Sequence, residues 1–235
     1  MNKSTIEEIR ERFDNDVERF SNLDTGQVST MDAKISLELI TEAAKRIVPG
    51  ATNLLDIGCG AGNYSLMMLS KIADLNCTLI DLSQPMLDKV LERVSAATKG
   101  QVQVQQGDIR EVDLPAENFD IVLAGAVLHH LRDDKDWENT FAKIYSLIKP
   151  GGCLMISDLV TQDSPIINDY TWEKYGDYLE NIGGAAYRQK VLDYVAKEDS
   201  PRSLNYQMDL MKKVGFKYVE ILHKNVCFAA YGAIK

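Results

Sequence analysis

Residues 54–65, LLDIGCGAGNYS, place three glycines within five positions directly after an apolar run. The run reads as a buried strand, and NYSLMMLSKI (63–72) continues at helical period. A strand, a glycine loop and a helix form the opening unit of an open α/β sheet. In such sheets ligands bind beyond the carboxyl ends of the strands, where strand order reverses. Glycine permits positive φ and lets a ligand lie against the backbone, and the free N–H groups at a helix start favour an anionic group. Gly58, Gly60 and Gly62 are therefore candidate binding positions. Their spacing is GxGxG, not the GxGxxG of dinucleotide-binding proteins. A tight turn with close helix–strand packing is the alternative reading.

Outward from this loop, apolar runs alternate with helical stretches. CTLIDL, VQVQQGD, FDIVLAG and GCLMISDLV read as strands, and PMLDKVLERVSAAT and DWENTFAKIYSLI as helices. Near-continuous apolar strands separated by helices indicate a parallel sheet covered on both faces, and right-handed crossovers make it doubly wound. Before this region, residues 4–21 read as an amphipathic helix with Ile6, Ile9, Phe13, Val17 and Phe20 on one face, broken by SNLDTG. A second helix over 30–48 carries Met31, Ile35, Leu39 and Ile47 on its apolar face and stops at Pro49-Gly50. After Leu159, residues 164–214 read as helical and hold six of the ten tyrosines. FKYVEILHKN and VCFAAYGAIK then read as two antiparallel strands with a turn near Lys224-Asn225. The expected organisation is one structural domain: a helical cap (1–50), an α/β core (51–160), a helical lid (161–213) and a terminal strand pair (214–235).

A chain of 235 residues with 45% hydrophobic and 26% charged residues has the make-up of an ordinary globular protein. The four cysteines are scattered without CxxC spacing, so neither a zinc site nor a disulfide framework is expected. The net charge of −9 and the lack of a Lys/Arg cluster argue against a nucleic-acid substrate. The charged N-terminal stretch is not of signal-peptide type, and no apolar run approaches a membrane span, so a cytoplasmic location is expected. The apolar face of the first helix would suit either a homodimer or packing onto the sheet.

Acids stand at three successive strand ends: Asp56 before the glycine loop, Asp81 in LIDLS and Asp108 in QGDI. A carboxylate after the second strand can accept from both hydroxyls of a ribose, and one after the third suits the amino group of a base. Asp81 before SQPML is also a fair helix cap.

Taken together, LLDIGCGAGN, CTLIDLSQPML, VQQGDIREVDLP, FDIVLAGAVLHHL and IKPGGCLMISD resemble the class I S-adenosylmethionine-dependent methyltransferases over residues 50–160. The terminal strand pair resembles that family's sixth and seventh strands. The resemblance implies a Rossmann-like, mostly parallel seven-stranded sheet with an antiparallel last strand, and S-adenosyl-L-methionine as cofactor. It implies that Gly58, Gly60 and Gly62 lie against the methionine moiety, with Asp56 near its amino group. Asp81 would take the ribose hydroxyls, Leu82 and Met86 would flank the adenine, Asp108 and Ile109 would meet its edge, and Ala124 and Gly125 would line the sulfonium end.

Methyl transfer to a small-molecule acceptor is the activity this reading implies. His129 and His130, after the fourth strand, are candidates for accepting a substrate proton or orienting the acceptor, or are alternatively packed and backbone-bonded. In the lid, Trp172, Tyr175, Tyr178 and Tyr187 would give an apolar wall with polar tips, and Arg188, Lys190 or Arg202 would read a substrate anion. Phe13, Arg19 or Phe20 would close the other side. The C-terminal half also resembles, loosely, the carboxy-S-adenosylmethionine synthases, whose lid arginine binds a carboxylate; the equivalent position here falls near Leu192, with Arg188 and Lys190 displaced from it. A nicotinamide-dependent oxidoreductase fits less well because of the GxGxG spacing and Asp108. A non-catalytic cofactor-binding protein is the remaining alternative.

Overall fold

The computed structural model describes residues 3–22 and 26–235. Residues 23–25, within the break read at SNLDTG, lie outside the described residues.

The strands are β1 (Asn53–Ile57), β2 (Asn76–Asp81), β3 (Val102–Gln106), β4 (Phe119–Gly125), β5 (Ile148–Leu159), β6 (Tyr218–Asn225) and β7 (Phe228–Ile234). They form one sheet in the order β3-β2-β1-β4-β5-β7-β6. β1 to β5 run parallel, and β7 is antiparallel to both β5 and β6. The order reverses between β1 and β4, which is where the opening glycine loop leaves the sheet. The doubly wound, seven-stranded α/β fold with its antiparallel last strand is as expected. The terminal turn falls two residues later than read, at Val226-Cys227.

The period-2 pleat sends each strand's apolar residues to opposite faces. On one face Leu54, Leu79, Ile121 and Met155 pack against Leu37, Ile40, Met68 and Val90 from α3 (Ala33–Ile47), α4 (Asn63–Lys71) and α5 (Gln84–Ser95). On the other, Leu55, Val122, Leu154 and Tyr231 pack against Trp137, Phe141 and Met211 from α6 (Asp134–Leu147) and α8 (Leu204–Val214). Fully burying each such side chain contributes about 1.5–3 kcal/mol. Helix starts follow their capping residues: the Ser83 hydroxyl accepts from Met86 N, and the Asp133 carboxylate from Asp136 N.

Two helical readings need correction. The helix expected over 4–21 divides into α1 (Ile6–Asp14) and α2 (Val17–Ser21), because Asn15 caps α1 and turns its side-chain amide back to Glu11 O at 2.7 Å. α3 buries Leu37, Ile40 and Ala44, whereas Ile35 and Leu39 face outward. The expected stripe was rotated by about one residue step, since the helix rests on a sheet that accepts the smaller Ser36, Thr41 and Ala44.

The lid is α7 (Pro165–Glu198), kinked at Gly184, where φ is 78° and ψ 177°. Tyr175, Leu179, Val191 and Val195 bury against Leu159 and Cys227. α1 is fastened to the far end of this helix. Ser4 N donates to Lys197 O at 3.0 Å, and the Arg12 guanidinium meets both Glu198 carboxylate oxygens, with Nε at 3.0 and 2.9 Å. Arg132 Nη2 donates to Ser4 O at 2.9 Å.

Candidate active site

The carboxyl ends of β1, β2, β4 and β5, the first two helices and the lid enclose one cavity. Its floor includes Gly58, Gly60, Asp81, Leu82, Met86 and Gly125. Its roof and far wall include Phe13, Phe20, His129, His130, Tyr175 and Tyr194.

The three loop glycines have different reasons to be there. Each has positive φ. A Cβ on Gly58 would stand 2.5 Å from Val127 Cγ2, and one on Gly62 would stand 2.5 Å from Val90 Cγ2, so both permit close packing. A Cβ on Gly60 would meet nothing within 4 Å. Gly60 therefore leaves open the space that a ligand would fill.

Asp81 fixes that loop. Its Oδ2 accepts from Gly60 N at 2.8 Å and its Oδ1 from Ser83 N at 2.9 Å. Burial holds its carboxyl above the ordinary carboxylate range despite those bonds, because desolvation disfavours the charged form. Unused lone pairs on a desolvated carboxylate at a cavity wall suit hydroxyl donors or a cation. Together with the open space at Gly60, this donor set fits a hydroxylated, cationic ligand.

Asp56 is 1% exposed and accepts from Ser65 Oγ at 2.6 Å. Burial pushes its carboxyl up to about 7, the Ser65 hydroxyl opposes this, and Asp81 adds to it. It stands behind the loop, not on the cavity wall, and so does Gly62. Ala124 is buried within β4, and Ile109 within the core below the sheet. Asp108 is engaged by Arg110 through Nε at 2.9 Å and Nη2 at 2.6 Å, and Arg110 Nη1 continues to Asp136 at 2.8 Å. Burial raises the Asp108 carboxyl but Arg110 outweighs it, leaving it below its ordinary value. In this arrangement neither Asp108 nor Ile109 reaches the cavity.

Of the lid residues singled out, only Tyr175 lines the cavity; its hydroxyl donates to Ser29 O at 3.0 Å. Trp172 packs edge-on to Tyr175, and the Tyr178 hydroxyl donates to Val28 O at 2.9 Å. Tyr187 packs on the lid core. Arg188 pairs with Glu180 at 2.9 Å outside the cavity, and its guanidinium lies over Gly176, where a Cβ would be only 2.7 Å from it. These side chains hold the lid onto the sheet and hairpin. Phe13, Arg19 and Phe20 do reach the cavity.

The histidines meet an acidic frame. His129 Nδ1 bonds Asp158, whose carboxylate also accepts from the backbone N–H of Leu128 at 2.9 Å, His129 at 3.2 Å and Leu159 at 2.7 Å. Burial opposes charging of His129, but Asp158 and Asp199 outweigh it and push the imidazole up to about 9. Burial and the neighbouring His129 hold His130 below its ordinary value. Sequence reasoning passed over Tyr64, Asp158, Tyr194 and Asp199. The SD at the end of β5 was the one available signal.

A strand-end crevice with a glycine loop, an acid after β2 and this strand order define the Rossmann-like methyltransferase fold. Residues 54–152 match the family model described as a methyltransferase domain. The chain is 26% identical to the carboxy-S-adenosyl-L-methionine synthase of Campylobacter hominis, over 96% of this chain and 99% of that protein. It is also 26% identical to the demethylmenaquinone methyltransferase of Listeria welshimeri, over 83% of each. A possible histamine N-methyltransferase from Thermotoga maritima superposes with a TM-score of 0.60 at 21% identity, over 98% of this chain and all of that one. The larger methyltransferase SibL is matched over 55% of its length, so this chain spans about half of that protein. Residues 54–152 thus carry a methyltransferase domain, and the fold is that of S-adenosylmethionine-dependent methyltransferases.

Proposed function

We propose that this protein transfers the methyl group of S-adenosylmethionine to a small-molecule acceptor. The observation that carries the reading is the single cavity joining Gly60 and Asp81 at one end to the histidine and aromatic wall at the other. When bound, the cofactor supplies a methyl group on a positively charged sulfur, ready for nucleophilic attack.

The chain's own residues then have three tasks. Gly60 gives the methionine moiety room against the backbone, and Asp81 accepts from the ribose hydroxyls while it holds the loop. Leu82 and Met86 flank the base. Gly125 keeps the passage open beside the Tyr64 ring, 2.6 Å from where its Cβ would stand. Asp56, held behind the loop, acts on the cofactor's amino group through its field. On the acceptor side, Tyr175, Tyr194, His129 and His130 orient the acceptor in line with the methyl group, and Phe13 and Phe20 exclude water. A base is obligatory only where the nucleophile must lose a proton.

A carboxy-S-adenosylmethionine synthase-like activity is the second reading, favoured by similarity along nearly the whole of both chains. The ion pairing of Arg188 with Glu180 weighs against a lid arginine that binds a carboxylate at that place.

The test is to denature the purified protein, identify any released nucleoside by mass spectrometry, and titrate S-adenosylmethionine by calorimetry. Release of the methylated cofactor or its demethylated product supports methyl transfer, and the carboxylated form supports the second reading. Absence of both a nucleoside and saturable binding would overturn the proposal.

A further inference from the structure

At the far wall of the cavity three side chains converge from segments about seventy residues apart. One potential ligand atom from each of His129, His130 and Asp199 lies within 4.8 Å of the other two. Asp199 Oδ1 is 3.7 Å from His129 Nε2 and 3.2 Å from His130 Nδ1. A tetrahedral ion with bonds of about 2.0–2.2 Å sets its ligand atoms about 3.4 Å apart.

Two further observations single out this cluster. Asp199 Oδ1 and His130 Nδ1 are both buried and neither has a hydrogen-bond partner, although they are close neighbours. The Asp199 side chain is only 3% exposed, so its Oδ1, held near the two imidazoles without a well-aligned hydrogen bond, has acceptor capacity that a cation between the three groups would use. Second, His129 is held as metal-binding imidazoles are: Asp158 accepts its Nδ1 proton, and Nε2, which gives up its own proton when an ion binds, faces Asp199. Asp158 is itself fixed by three backbone N–H groups. Such a carboxylate behind a histidine fixes its tautomer and raises its basicity as a ligand. The neighbouring Arg12 does not fill the position, since Glu198 takes its guanidinium with both oxygens.

We propose that His129, His130 and Asp199 form a binding site for one first-row divalent cation of the zinc type, with its open coordination position facing the cavity. Two imidazoles and one carboxylate favour Zn²⁺, Fe²⁺ or Co²⁺ over Mg²⁺ and Ca²⁺, which select all-oxygen sites. The three residues all line the cavity wall, so a donor atom of a cavity ligand has access to the ion. The site does not depend on which group the protein transfers.

The experiment uses the full chain stripped with EDTA. Zn²⁺ is titrated by calorimetry, Co²⁺ by visible absorption and Mg²⁺ as the control. One Zn²⁺ per chain is expected, with Co²⁺ bands of a four- or five-coordinate N/O site and no thiolate charge-transfer band. His130→Asn and Asp199→Asn should each weaken Zn²⁺ binding at least about tenfold. His130→Ala serves as the second variant where circular dichroism shows that Asn disturbs the fold. His223→Ala, which alters the one remaining histidine, should leave Zn²⁺ affinity unchanged. No saturable binding of Zn²⁺ or Co²⁺ would overturn the proposal. So would undiminished affinity in the folded His130 and Asp199 variants, or a thiolate signature pointing to the cysteines.

Discussion

The buried carboxyl of Asp56 makes a quantitative prediction about stability. It is 1% exposed, bonded to Ser65 and held at about 7. In the unfolded chain an aspartate titrates near 4. Between those values the folded protein binds the proton and the unfolded chain does not, so stability falls as pH rises from about 4 to about 7. Relative to a side chain that cannot ionise, the cost of Asp56 grows from about 1–2 kcal/mol at pH 5 to about 4 kcal/mol at pH 8. Asp56→Asn keeps an oxygen for the Ser65 hydroxyl and removes the titration. Urea unfolding of both proteins at pH 5, 6, 7 and 8 measures the difference, which should shift in favour of the variant by about 2–3 kcal/mol across the series. The pH slope is the readout, because it is independent of any fixed cost of placing an amide there. A difference that stays flat with pH would refute the burial argument for Asp56.

Other perturbations read separate parts of the site. Asp81→Ala should weaken S-adenosylmethionine binding by more than about tenfold in calorimetry with an unchanged circular dichroism spectrum, since it removes a charge-assisted acceptor; unaltered affinity would mean the ribose subsite lies elsewhere. Gly60→Ala, with φ of 50° but open space around its Cβ, should cost about 1–2 kcal/mol of stability while sharply reducing cofactor affinity. Gly62→Ala drives a Cβ to 2.5 Å from Val90 and should lower the melting temperature more. Equal thermal shifts in the two would contradict the division of labour within the loop. Arg12→Ala strands Glu198, whose side chain is 8% exposed, and should destabilise by about 3 kcal/mol, read from chemical denaturation. Arg12→Lys should recover only part of that loss, because the two-pronged geometry is missing.

What was legible in the chain was local. The strand–loop–helix unit at 54–65, Asp81 two residues before its helix cap, and the alternation of apolar strands with helices all depend on neighbours in sequence. Competition between partners is what spacing does not report. Asp108 sits at the expected strand end, but Arg110, two residues on, already claims its carboxylate. The lid aromatics lie in the expected segment, yet Trp172, Tyr178 and Tyr187 pack on the lid's own core, and Tyr175 alone of these four also lines the cavity. Contacts between distant segments were not legible at all. Arg12 and Glu198 lie 186 positions apart, and nothing in DSPRS around Asp199 distinguishes it from a solvated turn. The apolar stripe of α3 is a related case: Leu37 and Ile40 meet the sheet together with Ser36, Thr41 and Ala44, while Ile35 and Leu39 on the neighbouring face stay exposed.

The place of β7 in the sheet also bears on how the protein comes to exist. β7 is the last strand in the chain, yet it is an interior strand, bonded on one side to β5 and on the other to β6, and Phe228 at its start lines the cavity. During synthesis β1 to β5 can pair as they emerge, but β5 keeps an open edge until residues 228–234 have left the ribosome. The part of the cavity wall that Phe228 supplies cannot form before then, so its completion waits on the pairing of β7 with β5.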